Sequence, residues 1–202
     1  MKGRRLFLLA SAIVWLIVLV LIVVAAVDRL SVTPWGNISG DERSAEIVGS
    51  VKVGQQFVAP LPGLYRIDVT LDPDLVQNPR PAVFRLQDET DSTNSIAIDE
   101  FLTGDVKENS PYSLEFPPIQ DSSGRSFEFS LESPQSSPGD ALTAQYAPDS
   151  VLKGASATLN GRAVGGNLKF HTYYSLRTRD KVELLLTRMA AGRPYILGTK
   201  AF

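Results

Sequence analysis

The chain has one histidine, His171, and no cysteine among its 202 residues. Lack of cysteine excludes disulfide scaffolds, thiolate metal sites and cysteine nucleophiles. A single histidine makes a multi-histidine metal site or a serine–histidine–aspartate triad difficult to build. His171 follows Phe170 in an alternating, strand-like run, so we expect a structural or surface role for it.

Acidic residues are numerous enough for the carboxylate pair that a glycosidase needs. The candidates are Asp68, Glu115, Glu128 and Glu132. Each alternates with apolar neighbours, and this pattern alone predicts solvated side chains on the polar faces of strands. We therefore expect no catalytic residue and no enzymatic activity.

Two stretches gather carboxylates between the predicted strands: Asp72-Pro73-Asp74 and Asp88-Glu89-Thr90-Asp91. Oxygen-rich loops of this kind suit calcium, although neither has the spacing of an EF-hand. We expect these residues to be surface charges and no cofactor to be bound, with a structural calcium ion as the alternative.

An aromatic ring that presents its face beside polar groups is the usual platform for a sugar ring. Most aromatic residues here fall at inward-pointing positions, where packing in the core is the default. Tyr146 instead ends a predicted strand, just before Ala147-Pro148-Asp149. It is the best candidate for an exposed ligand platform.

Charge divides the chain into parts. Residues 28–176 carry 11 basic and 20 acidic residues, whereas residues 177–202 carry six basic and two acidic ones. An acidic body lacks the basic footprint that nucleic acids require. The basic end would suit an anionic membrane surface.

The segment Leu6–Val27 is an unbroken apolar run of 22 residues. As a helix it would reach about 33 Å, enough to cross a hydrocarbon core of about 30 Å. Lys2, Arg4 and Arg5 precede it, so the positive-inside rule predicts a cytoplasmic N-terminus and an extracytoplasmic body. A cleaved signal peptide is the alternative, but its apolar region is usually shorter. We expect a single-pass protein of the bacterial inner membrane.

The remaining pattern predicts four further parts: a cytoplasmic stub at 1–5, a linker at 28–45, a β-sandwich at 46–175, and a basic amphipathic helix with its tail at 176–202. In the sandwich, short period-two runs are separated by proline, glycine and aspartate. Asn160-Gly161 predicts a type I′ hairpin turn. A jelly roll is the expected topology and an immunoglobulin-like sandwich is the alternative. The predicted strands are Val51–Ala59, Gly63–Leu71, Ala82–Gln87, Ser95–Phe101, Tyr112–Phe116, Phe127–Leu131, Ala141–Tyr146, Ala155–Leu159 and Leu168–Tyr173.

The last element is a short helix. Asp180 and Glu183 have the spacing of a capping box, and Val182, Leu185, Leu186 and Met189 then follow at the spacing of one helical face. A helix of about eleven residues is too short to cross a membrane. It would either lie on the lipid surface or pack on the sandwich.

Residues 54–174 resemble an extracytoplasmic domain of uncharacterised bacterial multi-pass membrane proteins, several of them glycosyltransferase-like. The resemblance implies a carbohydrate-binding, galactose-binding-like sandwich. The resembling proteins continue into a further membrane segment, and this chain stops at Phe202. The motifs that carry the resemblance are GQQFVAP at 54–60, PGLYRIDV at 62–69, YSLEFPPI at 112–119, DSSG at 121–124, LESP at 131–134, PGD at 138–140, NG at 160–161 and FHTYY at 170–174.

Together these features predict a membrane-anchored, non-catalytic accessory protein. Its partners would be the lipid bilayer and either an envelope polysaccharide or a membrane enzyme. A structural docking subunit of a multi-pass membrane complex, without sugar binding, is the alternative.

Overall fold

A computed structural model describes residues 42–73, 78–89, 91–108, 110–149, 152, 154–177, 179–181 and 183–184, together with residues 11, 15, 17 and 18. The chain divides into two compact units. One comprises residues 32–175, and the other comprises residues 1–31 with residues 176–202.

The first of these units is an all-β sandwich of two antiparallel sheets, as the period-two pattern predicts. One sheet contains β1, β3, β6, β8, β11 and β12, and the other has the order β10-β9-β2-β7-β4-β5. The strands are β1 (Glu42–Arg43), β2 (Lys52–Val58), β3 (Leu64–Pro73), β4 (Pro81–Asp88), β5 (Asp91–Leu102), β6 (Ser110–Ile119), β7 (Ser126–Glu132), β8 (Leu142–Ala147), β9 (Ser156–Leu159), β10 (Arg162–Ala163), β11 (Asn167–Leu168) and β12 (Phe170–Tyr174), with a 3₁₀ turn at Thr103–Asp105.

The core between the sheets is built around phenylalanine. Phe170 from β12 packs on Phe57 and Phe129 of the facing sheet, with ring centroids 5.6 and 5.4 Å apart. Phe57 and Phe129 are completely or almost completely buried, and Phe170 is 2% exposed. Burial of a side chain of this size contributes about 1.5–3 kcal/mol. These contacts therefore join the two sheets.

Strand β3 departs from the predicted alternation because it is buried on both faces. Asp68 and Asp72 are each 3% exposed and Thr70 is 7% exposed, although Asp68 and Thr70 lie on the predicted polar face and Asp72 is predicted to follow the strand. The prediction that Asp68 is solvated is therefore wrong. Arg66 of the same strand pairs with Asp68, and Arg43 and Gln145 of neighbouring strands meet Asp72, so burial does not leave the carboxylates unpaired.

The chain makes a sharp corner between β11 and β12. Strand β11 pairs with β8, whereas β12 pairs with β3. Lys169, at the corner, donates its backbone N–H to the Gln145 carbonyl (2.8 Å) and accepts from the Thr70 N–H (3.0 Å). The corner therefore fills the fork where β3 and β8 diverge.

The hairpin between β9 and β10 confirms the predicted turn. Asn160 and Gly161 both have positive φ, at 52° and 74°, as a type I′ turn requires. Asn160 Oδ1 also accepts from the backbone N–H of Lys52 at 2.8 Å. The turn is thereby tied to β2.

Most of the predicted membrane segment 6–27 lies outside the described residues. Those that are described, at 11, 15, 17 and 18, are helical. Among the residues that the structure describes, no helix has both the length and the apolar character needed to cross a bilayer. In the predicted linker 28–45, residues 28–41 also lie outside the described part, whereas Glu42–Arg43 already form strand β1 of the sandwich.

The C-terminal helix begins earlier than the sequence predicts. Residues 179–181 and 183–184 are helical, and Lys181 donates its N–H to the Arg177 carbonyl at 3.0 Å. Asp180 therefore lies within the first turn, so its prediction as N-cap is wrong. The rest of the predicted helix, at 182 and 185–190, lies outside the described residues.

Candidate functional site

A cleft of about 210 Å³ opens at one side of the sandwich, where the two sheets separate. Strands β1, β8 and β11 form one wall and β2, β9 and β10 form the other. The lining is mostly aliphatic, with an arginine and a tyrosine as its larger polar residues. It consists of Arg43, Ser44, Ala45, Val53, Tyr146, Ala157, Thr158, Leu159, Val164 and Leu168.

The cleft is open because its outer strands, β1 and β10, have only two residues each. The opposite side of the sandwich is closed by aromatic packing. There Phe101 of β5 stacks on Tyr112 of β6 at 4.0 Å, and the Tyr112 hydroxyl donates to Asp99 at 2.7 Å. Burial, and then this hydrogen bond to Asp99, raise the pKa of Tyr112 above its ordinary value. One side of the sandwich is therefore open to solvent at the cleft, whereas the opposite side is closed by aromatic side chains.

Tyr146, the predicted ligand platform, lies in the wall of this cleft. It shares the inward side of β8 with Leu142 and Ala144, which are fully buried, but remains partly exposed itself. Its hydroxyl donates to the Gly165 carbonyl at 3.1 Å. The ring is therefore held in place from its far end and presents carbon surface to the cleft.

The turn that receives this hydroxyl requires glycine. Gly166 has φ +58°, and a Cβ placed there would lie 2.8 Å from Tyr146 Oη and 2.6 Å from the Ala147 carbonyl oxygen. Real Cβ atoms do not approach so closely, and only glycine adopts this φ without strain. Gly165-Gly166, which carries no phosphate-loop pattern in the sequence, thus shapes the mouth of the cleft.

Gln55 fixes the β11 wall from inside the sandwich. It is fully buried. Its Nε2 donates to Asn167 Oδ1 at 2.9 Å, and its Oε1 accepts from the backbone N–H of Leu168 at 2.7 Å. Sequence reasoning missed this residue. The sequence did contain a signal for it. Gln55 alternates with Val53 and Phe57, so its polar amide lies at a position where alternation predicts an inward-facing side chain.

Arg43 lies at the rim, where it meets a buried carboxylate. Its Nε is 3.8 Å from Asp72 Oδ2, and their side chains are 47% and 4% exposed. Gln145 Nε2 donates to the same oxygen at 3.5 Å. Asp72 therefore lies in β3 and faces cationic and amide donors, so its prediction as an exposed charge in a loop is wrong. Asp74 lies outside the described residues.

The second predicted carboxylate group is also held by arginine. Arg125 Nε donates to Asp88 Oδ2 at 3.1 Å, and a second bond runs from Arg125 Nη2 to the same oxygen. Arg125 Nη1 pairs in addition with Asp121 at 2.7 Å. Thr90 and the side chain of Asp91 lie outside the described residues. Within the described part of the chain, no three histidine or carboxylate residues come together as a metal site.

The four carboxylates considered for glycosidase chemistry do not line the cleft. Glu115 is exposed beside Arg66, at 3.6 Å, and Glu128 accepts from the Thr158 hydroxyl at 2.8 Å. Glu132 pairs with Lys52 at 2.8 Å.

Asp68 is held by Arg66 through two hydrogen bonds of 2.7 and 2.8 Å. Burial would raise its pKa, but hydrogen bonds from Arg66, Ser113 and Tyr173 outweigh this and hold the pKa of Asp68 below its usual range. The Arg66 guanidinium also lies over the Tyr173 ring, 4.7 Å from its centroid. This group is a closed structural network on the outer face of the first sheet.

His171 lies opposite Asp68 in the pairing of β12 with β3. Burial lowers the pKa of this half-buried imidazole, and the charge of Lys169 lowers it further, against the opposing effect of Asp68. The structure thus places His171 in the outer-face network, away from the residues that line the cleft.

Compared with protein-family models and with curated proteins, the chain matches none of them.

Proposed function

We propose that this protein is a membrane-anchored, non-catalytic recognition module of the bacterial envelope, with the cleft at Tyr146 as its ligand site. The observation that carries the proposal is the cleft itself. It combines a held aromatic ring, an aliphatic lining and a polar rim at an open side of the sandwich.

The lining suits the apolar face of a sugar ring within an envelope glycan. A sugar ring places C–H groups on one face and hydroxyl groups around its edge, so it needs carbon surface with polar neighbours. Tyr146 and Leu168 offer the former, and Arg43 with Ser44 offers the latter. At about 210 Å³ the cleft is smaller than the roughly 300 Å³ at which drug-sized sites begin, which fits one ring of a polymer.

The proposed topology is a single N-terminal membrane helix with a cytoplasmic N-terminus and an extracytoplasmic sandwich. The apolar run 6–27 and the preceding basic residues support it. The large helical side chains of Trp15 and Ile17 are also 70% and 53% exposed. Such side chains are expected to be covered by lipid or by another protein.

The finer assignment of the sandwich as a galactose-binding-like jelly roll belongs to this proposal and rests on the resemblance of residues 54–174. The proposal that the protein is not an enzyme is supported by the ion pairs of its buried carboxylates. Asp68, Asp72 and Asp88 each face an arginine, so their charges serve the fold.

The proposal is tested by co-sedimentation of the full chain with purified cell-wall polysaccharides. We expect the wild type to bind, Tyr146→Ala to lose binding and Glu115→Gln, an exposed change outside the cleft, to retain it. Tyr146→Phe, which keeps the ring, should retain most of the binding. Absence of wild-type binding to every polymer would refute the glycan proposal.

A docking subunit of a membrane complex is the second candidate. The aliphatic lining favours it, because Val53, Leu159 and Leu168 would also receive an apolar side chain of a protein partner. Co-purification from detergent-solubilised membranes separates the two functions. A stoichiometric protein partner that Tyr146→Ala releases supports docking, whereas sugar affinity without such a partner supports recognition.

A further inference from the structure

Strand β5 is a long edge strand with an exposed aliphatic row. It spans twelve residues, Asp91–Leu102, at the end of the second sheet. Ile96, Ile98 and Leu102 are 38%, 52% and 45% exposed. Among the described strands, only β4 pairs with β5. Its other edge therefore presents backbone donors and acceptors next to apolar side chains.

The other sheet edges are protected in ways that β5 is not. Strands β1 and β10 have two residues each, and β12 has five. Strand β6 is long but contains Pro111, Pro117 and Pro118. Short strands, prolines and basic residues are the usual protection against pairing between molecules. β5 contains neither proline nor a basic residue.

We propose that β5 is a self-association edge, through which two copies of this chain pair in antiparallel fashion about a two-fold axis at Ile98. The Ile98 side chains of the two copies would then face each other directly. Ile96 of each copy lies diagonally beside this pair, so four aliphatic side chains form one cluster on the outer face of a continuous sheet, with Glu100 of the other copy opposite each Ile96. Pairs of this kind are the stabilising unit of a sheet.

The chemistry of β5 selects this register over its neighbours. An axis at Asp99 or at Glu100 would place like charges directly opposite each other, which is destabilising. An axis at Ala97 would place the irregularity at Ile96 directly next to the axis, whereas an axis at Ile98 keeps the central pairs 97–99 regular. With the axis at Ile98, Ala97 faces Asp99 of the second copy, and Ile96 faces its Glu100. Asp99 is already satisfied in part by the Tyr112 hydroxyl.

The interface would be small and the dimer reversible. A ladder of a few residues and four aliphatic side chains falls short of the roughly 1,000 Å² expected of a stable interface. Tethering two copies to one surface would raise their effective concentration and compensate for this. The inference itself rests on β5 alone and is independent of the proposed ligand.

Disulfide trapping tests the proposal, because the chain has no cysteine of its own. Single cysteines are placed at each position from 96 to 102 of the full chain in detergent, and the chains are oxidised. Facing residues have Cα atoms about 4.5–5.5 Å apart, within the range that a disulfide spans. We expect Ile98→Cys to give several-fold more cross-linked dimer than any other position.

Val164→Cys is the matched control. Val164 is also 52% exposed, but it directly follows β10, which lies at the opposite end of the sheet from β5. Cross-linking of Ile98→Cys no greater than that of Val164→Cys would overturn the proposal. A maximum at another position would overturn the assigned axis. As a second measurement, Ile98→Lys should abolish the dimer in sedimentation velocity while Val164→Lys retains it, and a dimer that survives Ile98→Lys would also refute the proposal.

Discussion

Arg66 and Asp68 lie two residues apart on β3 and form a bidentate ion pair, with hydrogen bonds of 2.7 and 2.8 Å, on a face of the strand that is itself buried. Two residues apart on a strand means the same face, so their side chains meet without any turn. The arginine side chain is 31% exposed, whereas the aspartate side chain is 4% exposed. The pair thus covers the sheet and neutralises a carboxylate that would otherwise be buried alone.

Removal of the Asp68 carboxylate should therefore destabilise the sandwich. We expect Asp68→Asn to lower the free energy of unfolding by about 1.5–3 kcal/mol, the range for a hydrogen bond to a charged group. The measurement is urea unfolding followed by circular dichroism at neutral pH. Glu115→Gln, at an exposed carboxylate, is the control and should change the free energy by about 0.5 kcal/mol or less.

The same pair predicts a pH dependence. The pKa of Asp68 is lowered in the folded state, so its contribution to stability is complete above its unfolded pKa of about 3.9. That contribution should be lost as the pH falls through the lower folded pKa. The stability difference between wild type and Asp68→Asn should accordingly narrow below about pH 4. A difference that stays constant between neutral pH and strongly acidic pH would contradict the ion-pair explanation.

Gly166 should be more sensitive to substitution than its neighbour. Gly165 and Gly166 both have positive φ, but a Cβ at Gly165 meets nothing within 4 Å. Gly165→Ala should therefore cost only the backbone strain of about 1–2 kcal/mol. Gly166→Ala adds contacts with Tyr146 Oη and the Ala147 carbonyl, so we expect a clearly larger loss in unfolding free energy. Equal losses would show that the turn can relax away from Tyr146.

Gln55 should control the order of the cleft wall. Gln55→Leu removes the donor to Asn167 and the acceptor of the Leu168 N–H, and leaving this buried N–H without its acceptor costs about 1–3 kcal/mol. We expect faster hydrogen exchange at the Leu168 amide, measured by mass spectrometry or NMR. Exchange at amides of the β3–β6 pairing, remote from this wall, serves as the internal reference and should change much less.

Phe170 should be the most costly aromatic to truncate in the first sheet, because its ring bridges to Phe57 and Phe129. Phe170→Ala is expected to cost about 3–5 kcal/mol. Phe170→Leu keeps most of the volume and should cost considerably less. Chemical unfolding of the two variants measures the difference, and a loss below about 1 kcal/mol for Phe170→Ala would show that the sheets are held elsewhere.

Period-two alternation was sufficient to predict the sandwich, because each strand must bury one face whatever its neighbours are. Alternation predicts that Phe127, Phe129 and Leu131 face the core. Asn160-Gly161 predicts a type I′ turn, because few residue pairs tolerate two consecutive positive φ angles. The sequence also singles out Tyr146, since that residue ends a strand instead of occupying its middle.

The tertiary structure decided which residues of different strands contact each other. Asp68 is predicted as a surface charge by alternation and Asp72 by its place after a predicted strand, yet arginine and amide side chains from their own or neighbouring strands cover them. Gln55 binds Asn167 across 112 positions of the chain, and the cleft exists because two short edge strands leave the sheets apart. Local patterns report which face a residue prefers, but contacts between distant segments depend on strand order and register, which no single stretch of sequence encodes.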